Sequence, residues 1–401
     1  MTVKINKATA RGRVQAPPSK SMAHRYLICG ALSGGSVIKG IAFSKDIEAT
    51  LGCLKALGAD ITVSEDTVNI GGLDVKKAVA SNRLFCNESG STLRFLIPVC
   101  LLFNQKITLC GSERLFSRSL SVYEQLCREQ GLYFVQGKES VTLKGRLSSG
   151  KYSVRGDISS QFISGLMFAL SLLEGDSEIN ITGKLESASY LGLTIKALAD
   201  FGVRISRINE NTIFIKGSQS YKKREVSVEG DCSNAAFLEA FNLFGGNVAV
   251  KGISPKTAQG DRVYGELFAA LCEGKPTVDI SDCPDLGPVL MAVAAAKNGA
   301  VFTGTRRLKI KESDRAEAMK AELAKFGCKV LVEENTVTVE GGIRPPKLPL
   351  FGHNDHRIVM SLAVLCSITG GTVVGAQAVE KSFPDFFEVV NHLGIKTEEI
   401  D

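Results

Sequence analysis

The sequence predicts a mixed α/β (α+β) protein of two domains, each built from three βαβαββ units. A recurring local grammar and the chain length carry that prediction. Four segments share the grammar: "TLGCLKALGADITVSEDTVNIGG", "VYEQLCREQGLYFVQGKESVTLKG", "TIKALADFGVRISRINENTIFIKG" and "AMKAELAKFGCKVLVEENTVTVEGG". In each, a helix-period apolar pattern runs into a glycine (Gly58, Gly131, Gly202, Gly327) suited to ending a helix. A short alternating strand, a polar turn and a second strand follow. The C-terminal "FFEVVNHLGIKTEEI" opens a further copy with Gly394 and stops, and "YGELFAALCEGKPTVDIS" reads as a weaker copy. Another strand and helix lie between the recognisable parts, as in "RLFCNESGSTLRFLIPVCLLF". Successive glycines stand about 70 residues apart, with nearly twice that gap across the weak copy. The 401 residues exceed one ordinary domain and suit two, so six units group as two sets of three. The pattern says nothing about arrangement within a set, and plain α/β alternation without true repeats is the competing reading.

Composition narrows the functional classes. The net charge of +6 is a mild excess, and Lys and Arg never form a block, which argues against a nucleic-acid-binding tail. Trp is absent and few aromatics lie among the basic residues, a poor platform for base stacking. The 11 cysteines are odd in number, irregularly spaced and without a C-x-x-C pair, and "MTVKINKATARGRVQ" has no apolar leader core. Reduced, mostly core-filling cysteines and a cytoplasmic location are the expectation. The apolar run "FLIPVCLLF" is too short for a bilayer, so no membrane partner is expected.

Five segments break the alternation with unusual polar content. "APPSKSMAHRYLICGAL" sets Pro17 and Pro18 beside Lys20, Ser21, His24 and Arg25. "NESGSTLRF" places Gly90 among small hydroxyl residues at a helix start, with Arg94 one turn in. "DISSQFISGLMFAL" places Ser159, Ser160 and Gln161 before an apolar helix. "RRLKIKESDRAEAM" crowds Lys311, Glu312, Asp314 and Arg315. "GHNDHRIVMSLAVL" sets Asp355, His356 and Arg357 ahead of a buried-looking helix. Each segment taken alone also reads as a plain helix cap with solvated charges. Together they repeat one device, cations and hydroxyls at a helix start, where unpaired N–H groups receive anions. Small substrates with several negative charges, held between two domains, fit that device.

Other chemistries lack their signatures. His353 and His356 stand three apart, but no H-E-x-x-H or Cys/His set supports a metal, and the chain has only 4 histidines. No Walker lysine motif, strand-linked G-x-G-x-x-G or G-x-S-x-G occurs.

The motifs "PPSKSMAHR", "ESGSTLRF", "SSQF", "KIKESDR", "NDHR" and "KSFPDFF" resemble, in order and over essentially the whole chain, those of the 5-enolpyruvylshikimate-3-phosphate synthase (3-phosphoshikimate 1-carboxyvinyltransferase) family. The resemblance implies a two-domain inside-out α/β barrel, each domain holding three βαβαββ units. Residues 1–17 with 230–401 would form one domain and 18–229 the other, with hinge crossings near 17–18 and 229–230. It implies transfer of the enolpyruvyl group of phosphoenolpyruvate to the 5-hydroxyl of shikimate 3-phosphate, with release of phosphate, in the shikimate pathway to chorismate and the aromatic amino acids. No metal or cofactor would be needed, and a monomer is expected.

By motif match, the resemblance assigns Lys20, Ser21, Arg25, Ser159, Ser160, Gln161, Ser187, Asp285 and Lys311 to shikimate 3-phosphate. It assigns Lys20, Gly90, Arg118, Gln161, Arg315, Arg357 and Lys381 to phosphoenolpyruvate, with Arg94 and Tyr190 in support. It casts Asp285 as base toward the hydroxyl and Glu312 as the acid–base group near the methylene carbon, assisted by Lys20. Two carboxylates in different environments suit the two proton transfers.

This chain departs from the family pattern at several positions. Glu88 and His24 stand where Asn is common, "SRSL" replaces the usual Arg-Pro after Ser117, and Arg307 occupies a position where some members have a phosphate-contacting Asn. A UDP-N-acetylglucosamine enolpyruvyl transferase is the competing enzyme, but that family has Lys-Asn at Lys20-Ser21 and a reactive loop cysteine without an evident match here. A phosphate-ligand binding protein with a decayed site is the non-enzymatic alternative. An RNA-end-processing relative of the fold lacks its histidine motif.

Overall fold

The computed structural model describes residues 1–400. The chain divides into two compact units, Met1–Pro17 with Gly230–Asp401, and Pro18–Glu229. Each unit has its own hydrophobic core.

Helices fill both cores. In the Pro18–Glu229 unit these are Lys20–Leu32, Gly90–Cys100 and Ser160–Leu170; in the other they are Cys232–Ala240, Gly287–Ala296 and His356–Thr369. Such segments as Phe162–Leu170 and Gly287–Ala295 are buried without a break. A helix apolar on every side has no face to give to water, so it goes inside. Most strands instead alternate buried and exposed residues, as in Lys151–Arg155 and Thr336–Glu340, and keep one face in solvent. Helices inside and sheets outside make each unit inside-out. The strands form five four-stranded sheets and one of two strands, and no ladder joins one sheet to the next among the described residues. Side-chain packing on the inner helices, rather than hydrogen bonding around a ring, closes each unit.

The repeat is real and has two exchanges built into it. Arg83–Phe85 runs parallel to Ile107–Cys110, which runs antiparallel to the second strand of the Tyr133–Gln136/Ser140–Lys144 hairpin. The sheets of 151–215 and 277–340 repeat that order. The five repeat glycines, including Gly394, all have positive φ, between 65° and 109°, as helix-ending residues require. Near the crossings, strands change partners. Arg11–Gln15 precedes the Lys20 helix yet pairs with Asn247–Lys251; Glu225–Ser227 precedes the Cys232 helix yet pairs with Gly35–Lys39. The truncated last copy is completed by the N-terminal strand Thr2–Ile5, which lies between Gly371–Val374 and Thr397–Glu399. The weak copy keeps its helix, Tyr264–Glu273, but no hairpin follows; Thr277–Asp279 joins the next sheet.

Close approach of inner helices sets a steric limit. A Cβ on Gly165 would sit 2.4 Å from both the Arg94 carbonyl oxygen and the Tyr123 hydroxyl. That hydroxyl donates to the Arg94 and Phe162 carbonyls at 2.6 and 3.1 Å, so neither obstacle yields easily. Gly165→Ala should destabilise the chain by about 1–3 kcal/mol, read as a lower denaturant midpoint; an unchanged midpoint would mean the two helices separate without cost.

Candidate functional site

Each inner helix follows the first strand of its copy, and five of the six have a serine or an aspartate at the N-cap, the exception being Leu286 before Gly287–Ala296. In the Pro18–Glu229 unit the cap positions are Ser19, Ser89 and Ser159, recurring at one constant spacing. Ser89 and Ser159 accept bonds from Thr92 N and Gln161 N. Ser19 holds its position without a side-chain cap bond. In the other unit the caps of two helices are Asp231 and Asp355, and Asp285 lies on the short turn before Gly287. Serine caps in one unit and aspartates in the other give one fold two electrostatic characters.

The serine-capped unit gathers guanidiniums around a glycine. Arg94 Nη1 donates to Gln161 Oε1 at 3.0 Å, and Gln161 Nε2 donates to Ser91 Oγ at 3.0 Å. A Cβ on Gly90 would lie 2.9 Å from Arg94 Nη1 and 3.1 Å from Arg118 Nη1, so a larger residue would push both guanidinium ends aside. The Arg94 and Arg118 side chains are both largely buried. Lys20 Nζ pairs with Asp46 Oδ2 at 2.9 Å. Arg25 is held in place: Nε donates to Thr194 Oγ1, Nη1 to the Ser21 carbonyl and Nη2 to the Tyr190 carbonyl, while the group lies 5.0 Å from the Phe95 ring centre. Burial pushes its pKa down to about 10, with the guanidinium still charged at neutral pH. Ser187, buried, caps the Ala188–Asp200 helix in a left-handed conformation at φ 55°, and Tyr190 is half-buried one turn on.

The aspartate-capped unit holds a balanced ion cluster. Arg315, 1% exposed at its side chain, reaches three carboxylates: Nε to Asp355 Oδ2 at 2.9 Å, Nη1 to Asp285 Oδ1 at 2.8 Å and Nη2 to Glu312 Oε2 at 2.7 Å. Asp285 also meets Lys311 Nζ at 3.0 Å and Arg357 Nη2 at 3.1 Å. Burial alone would raise the Asp285 pKa, but Arg357, Lys311 and Arg315 together hold it well below the ordinary carboxylate range. Burial lowers the pKa of Lys311; Asp285 works against that, while nearby Arg307 adds to it. Lys381 donates to the Asn354 carbonyl at 2.6 Å, beside the left-handed pair His353 and Asn354 that turns the chain into Asp355. Ser313 Oγ bonds Asp355 Oδ2 at 3.0 Å. Buried Asp261, bonded to Ser233, has its pKa raised to about 7 by burial and by Asp285.

The structure thus sets the matched residues in two groups, one per unit: Lys20, Ser21, Arg25, Gly90, Arg94, Arg118, Ser159, Ser160, Gln161, Ser187 and Tyr190 in the first, and Asp285, Lys311, Glu312, Arg315, Arg357 and Lys381 in the second. Sequence reasoning did not single out Asp46, Thr50, Thr92 or Asp261. The constant spacing of Ser19, Ser89 and Ser159 was a signal it could have used for the caps. Asp46 and Thr50 sit on the otherwise ordinary helix Lys45–Leu57 and carry no comparable mark, whereas Thr92 lies within "NESGSTLRF" as one of its small hydroxyl residues.

His24 makes the first unit acid-sensitive. Its ring is buried, with Nδ1 2.8 Å from Thr50 Oγ1, and burial, Lys20 and Arg25 hold its pKa well below 6.5. As pH falls below about 6.5, an unfolded His24 takes a proton that the folded chain refuses, and stability drops. His24→Asn should flatten the stability–pH curve between about pH 6.5 and 5; a curve of wild-type slope would assign the acid loss to other groups.

No helix among the described residues is long and apolar enough to cross a membrane. The family description of EPSP synthase (3-phosphoshikimate 1-carboxyvinyltransferase) matches residues 5–390. A protein of Clostridium kluyveri named 3-phosphoshikimate 1-carboxyvinyltransferase is 40% identical over 422 residues, covering 99% of this chain and 98% of that protein. One of the same name from Clostridium perfringens is 39% identical, covering 98% of this chain and 99% of its own. In fold, the chain is similar to EPSP synthase from Acinetobacter baumannii, with TM-score 0.79, 22% identity and coverage of 99% and 100% of the two chains. It is also similar to the enolpyruvyl transferase NikO from Streptomyces tendae, with TM-score 0.75, 14% identity and coverage of 99% and 98%. With a family match across nearly its full length and relatives near 40% identity, the chain belongs to the EPSP synthase (3-phosphoshikimate 1-carboxyvinyltransferase) family.

Proposed function

We propose that the chain transfers the enolpyruvyl group of phosphoenolpyruvate to the 5-hydroxyl of shikimate 3-phosphate, releasing phosphate, and that the two residue groups serve this one reaction. Family membership carries the proposal, and the balanced ion cluster around Asp285 and Arg315 supports it. Lys20, Ser21, Arg25, Ser159, Ser160, Gln161, Ser187 and Lys311 bind shikimate 3-phosphate with Asp285. Lys20, Gly90, Arg118, Gln161, Arg315, Arg357 and Lys381 bind phosphoenolpyruvate, with Arg94 and Tyr190 in support. Arg315 already donates to three carboxylates, so its larger task is to hold Asp285 and Glu312 in place. The cytoplasm is the proposed location.

The chemistry requires two proton transfers. The substrate hydroxyl loses its proton as its oxygen bonds to C2 of phosphoenolpyruvate, and the methylene carbon C3 gains one. The tetrahedral ketal then loses a C3 proton and expels phosphate, restoring the double bond. Asp285 takes the hydroxyl proton; Glu312, with Lys20, serves C3. Three cations make Asp285 a weak base before substrate arrives. Anionic substrates that draw Lys311 and Arg357 toward themselves raise its proton affinity as the reaction begins. The cations then stabilise the departing phosphate.

Phosphate release should require both substrates, and UDP-N-acetylglucosamine should not replace shikimate 3-phosphate. Turnover only with the nucleotide sugar would assign the chain to the other enolpyruvyl transfer.

A further inference from the structure

A ladder of buried hydroxyls crosses the first unit from the Lys20 helix to the N-terminus of the Gly90 helix. His24 Nδ1 lies 2.8 Å from Thr50 Oγ1. Thr50 Oγ1 lies 2.7 Å from Thr92 Oγ1, which donates to Ser89 Oγ at 2.7 Å. Ser89 Oγ also accepts the Thr92 N–H at 3.2 Å. The Ser89 and Thr92 hydroxyls and the His24 ring are all essentially inaccessible to solvent.

The far end of the ring gives the ladder a direction. His24 Nε2 is buried and has no hydrogen-bond partner. A proton there would be a buried donor with no acceptor, whereas a proton on Nδ1 has the Thr50 hydroxyl 2.8 Å away to receive it. The proton therefore belongs on Nδ1. Each hydroxyl then accepts from the preceding group and donates to the next, His24 to Thr50, Thr50 to Thr92 and Thr92 to Ser89, in preference to the Asp46 carbonyl, which lies farther off at 3.4 and 3.5 Å from the two threonine hydroxyls. Ser89 Oγ, accepting twice, is locked as the cap, and its own proton is left for an acceptor outside the ladder. The adjoining N–H groups of Gly90 and Ser91 are the orphan donors that a helix start offers an anion.

We propose that His24 and Thr50 are positioning residues: through Thr92 they orient Ser89 and the Gly90 turn for the phosphoenolpyruvate anion, without touching it. This rests on the enolpyruvyl-transfer reading above. Neither residue belongs to the proposed binding or catalytic set, and no motif argument pointed to Thr50. An isosteric change in the middle of the ladder should alter affinity for one substrate and leave the chemistry alone.

Two measurements decide it. Thr50→Val keeps the shape and removes the hydroxyl, so KM for phosphoenolpyruvate should rise roughly fivefold to tenfold, the scale of one net hydrogen bond. The kcat and the KM for shikimate 3-phosphate should stay at wild-type values. His24→Asn, whose amide still donates to Thr50, should keep KM for phosphoenolpyruvate near wild type. An unchanged KM in Thr50→Val, equal rises for both substrates, or a rise in His24→Asn to match Thr50→Val would each overturn the proposal. Independently of any variant, 15N-labelled histidine in the wild-type chain has only 4 rings to assign. His24 should appear as the neutral Nδ1–H tautomer at pH 7, and an Nε2–H tautomer would overturn the ladder's direction. Absence of wild-type turnover with both substrates would count against the enolpyruvyl reading, and the tautomer would still decide the ladder.

Discussion

Asp285→Asn and Glu312→Gln should each lower kcat by about 10²–10⁴, the usual scale for a positioned acid or base. Both replacements are near-isosteric, so the loss reports proton transfer rather than shape. Asp285 loses more than a proton acceptor. An amide cannot offset Lys311, Arg315 and Arg357, which meet the carboxylate at 3.0, 2.8 and 3.1 Å. KM for the anionic substrates should change less than kcat, because the cations that bind them remain. Folding should survive, since Arg315 keeps Asp355 and Glu312. Steady-state kinetics with both substrates, alongside circular dichroism, give the answer. Turnover within a few-fold of wild type in either variant would remove that residue from its role.

Arg315→Met should be the most damaging single change to stability, about 3–5 kcal/mol. The methionine fills much of the buried volume but leaves Asp285, Asp355 and Glu312 facing one another without their shared cation. Asp355 is fully buried and its pKa depends on Arg315: burial raises it, and the guanidinium brings it back below the ordinary range. Without the guanidinium, the cluster must take up protons or open to water. Arg315→Lys should rescue little, because an ammonium is a point donor and this site uses three edges of a planar fork. Denaturant unfolding of the variants measures the loss; a midpoint within error of wild type would mean that Lys311 and Arg357 alone balance the cluster.

Local features of the fold were legible, and partnerships were not. Gly58, Gly131, Gly202, Gly327 and Gly394 marked helix ends because a left-handed residue leaves a chemical trace, the missing side chain. Nothing in "RGRVQ" says that it pairs with "NVAVK" rather than with the strand after its own helix, because alternation defines a strand and leaves its neighbour open. Much the same division runs through the site. Cations and hydroxyls at helix starts were readable from Lys20 to Arg357. Asp46, which faces Lys20, was not, because an aspartate in the first turn of a helix needs no function to explain it. His24 showed as part of the polar run after Pro18 and as a departure from a family pattern; its link to Thr50 is a contact between helices and has no expression along the chain.

Carboxyvinyl transfer differs from simple phosphoenolpyruvate hydrolysis in the bond that breaks, and isotope placement reads that bond. Phosphoenolpyruvate labelled with 18O at the bridging oxygen, turned over with shikimate 3-phosphate, should yield inorganic phosphate carrying the label, seen as an isotope shift in the 31P spectrum. New vinyl proton signals should grow in step as the enol ether forms. Unlabelled phosphate accompanied by labelled pyruvate would show cleavage between phosphorus and oxygen, and would contradict enolpyruvyl transfer by this chain.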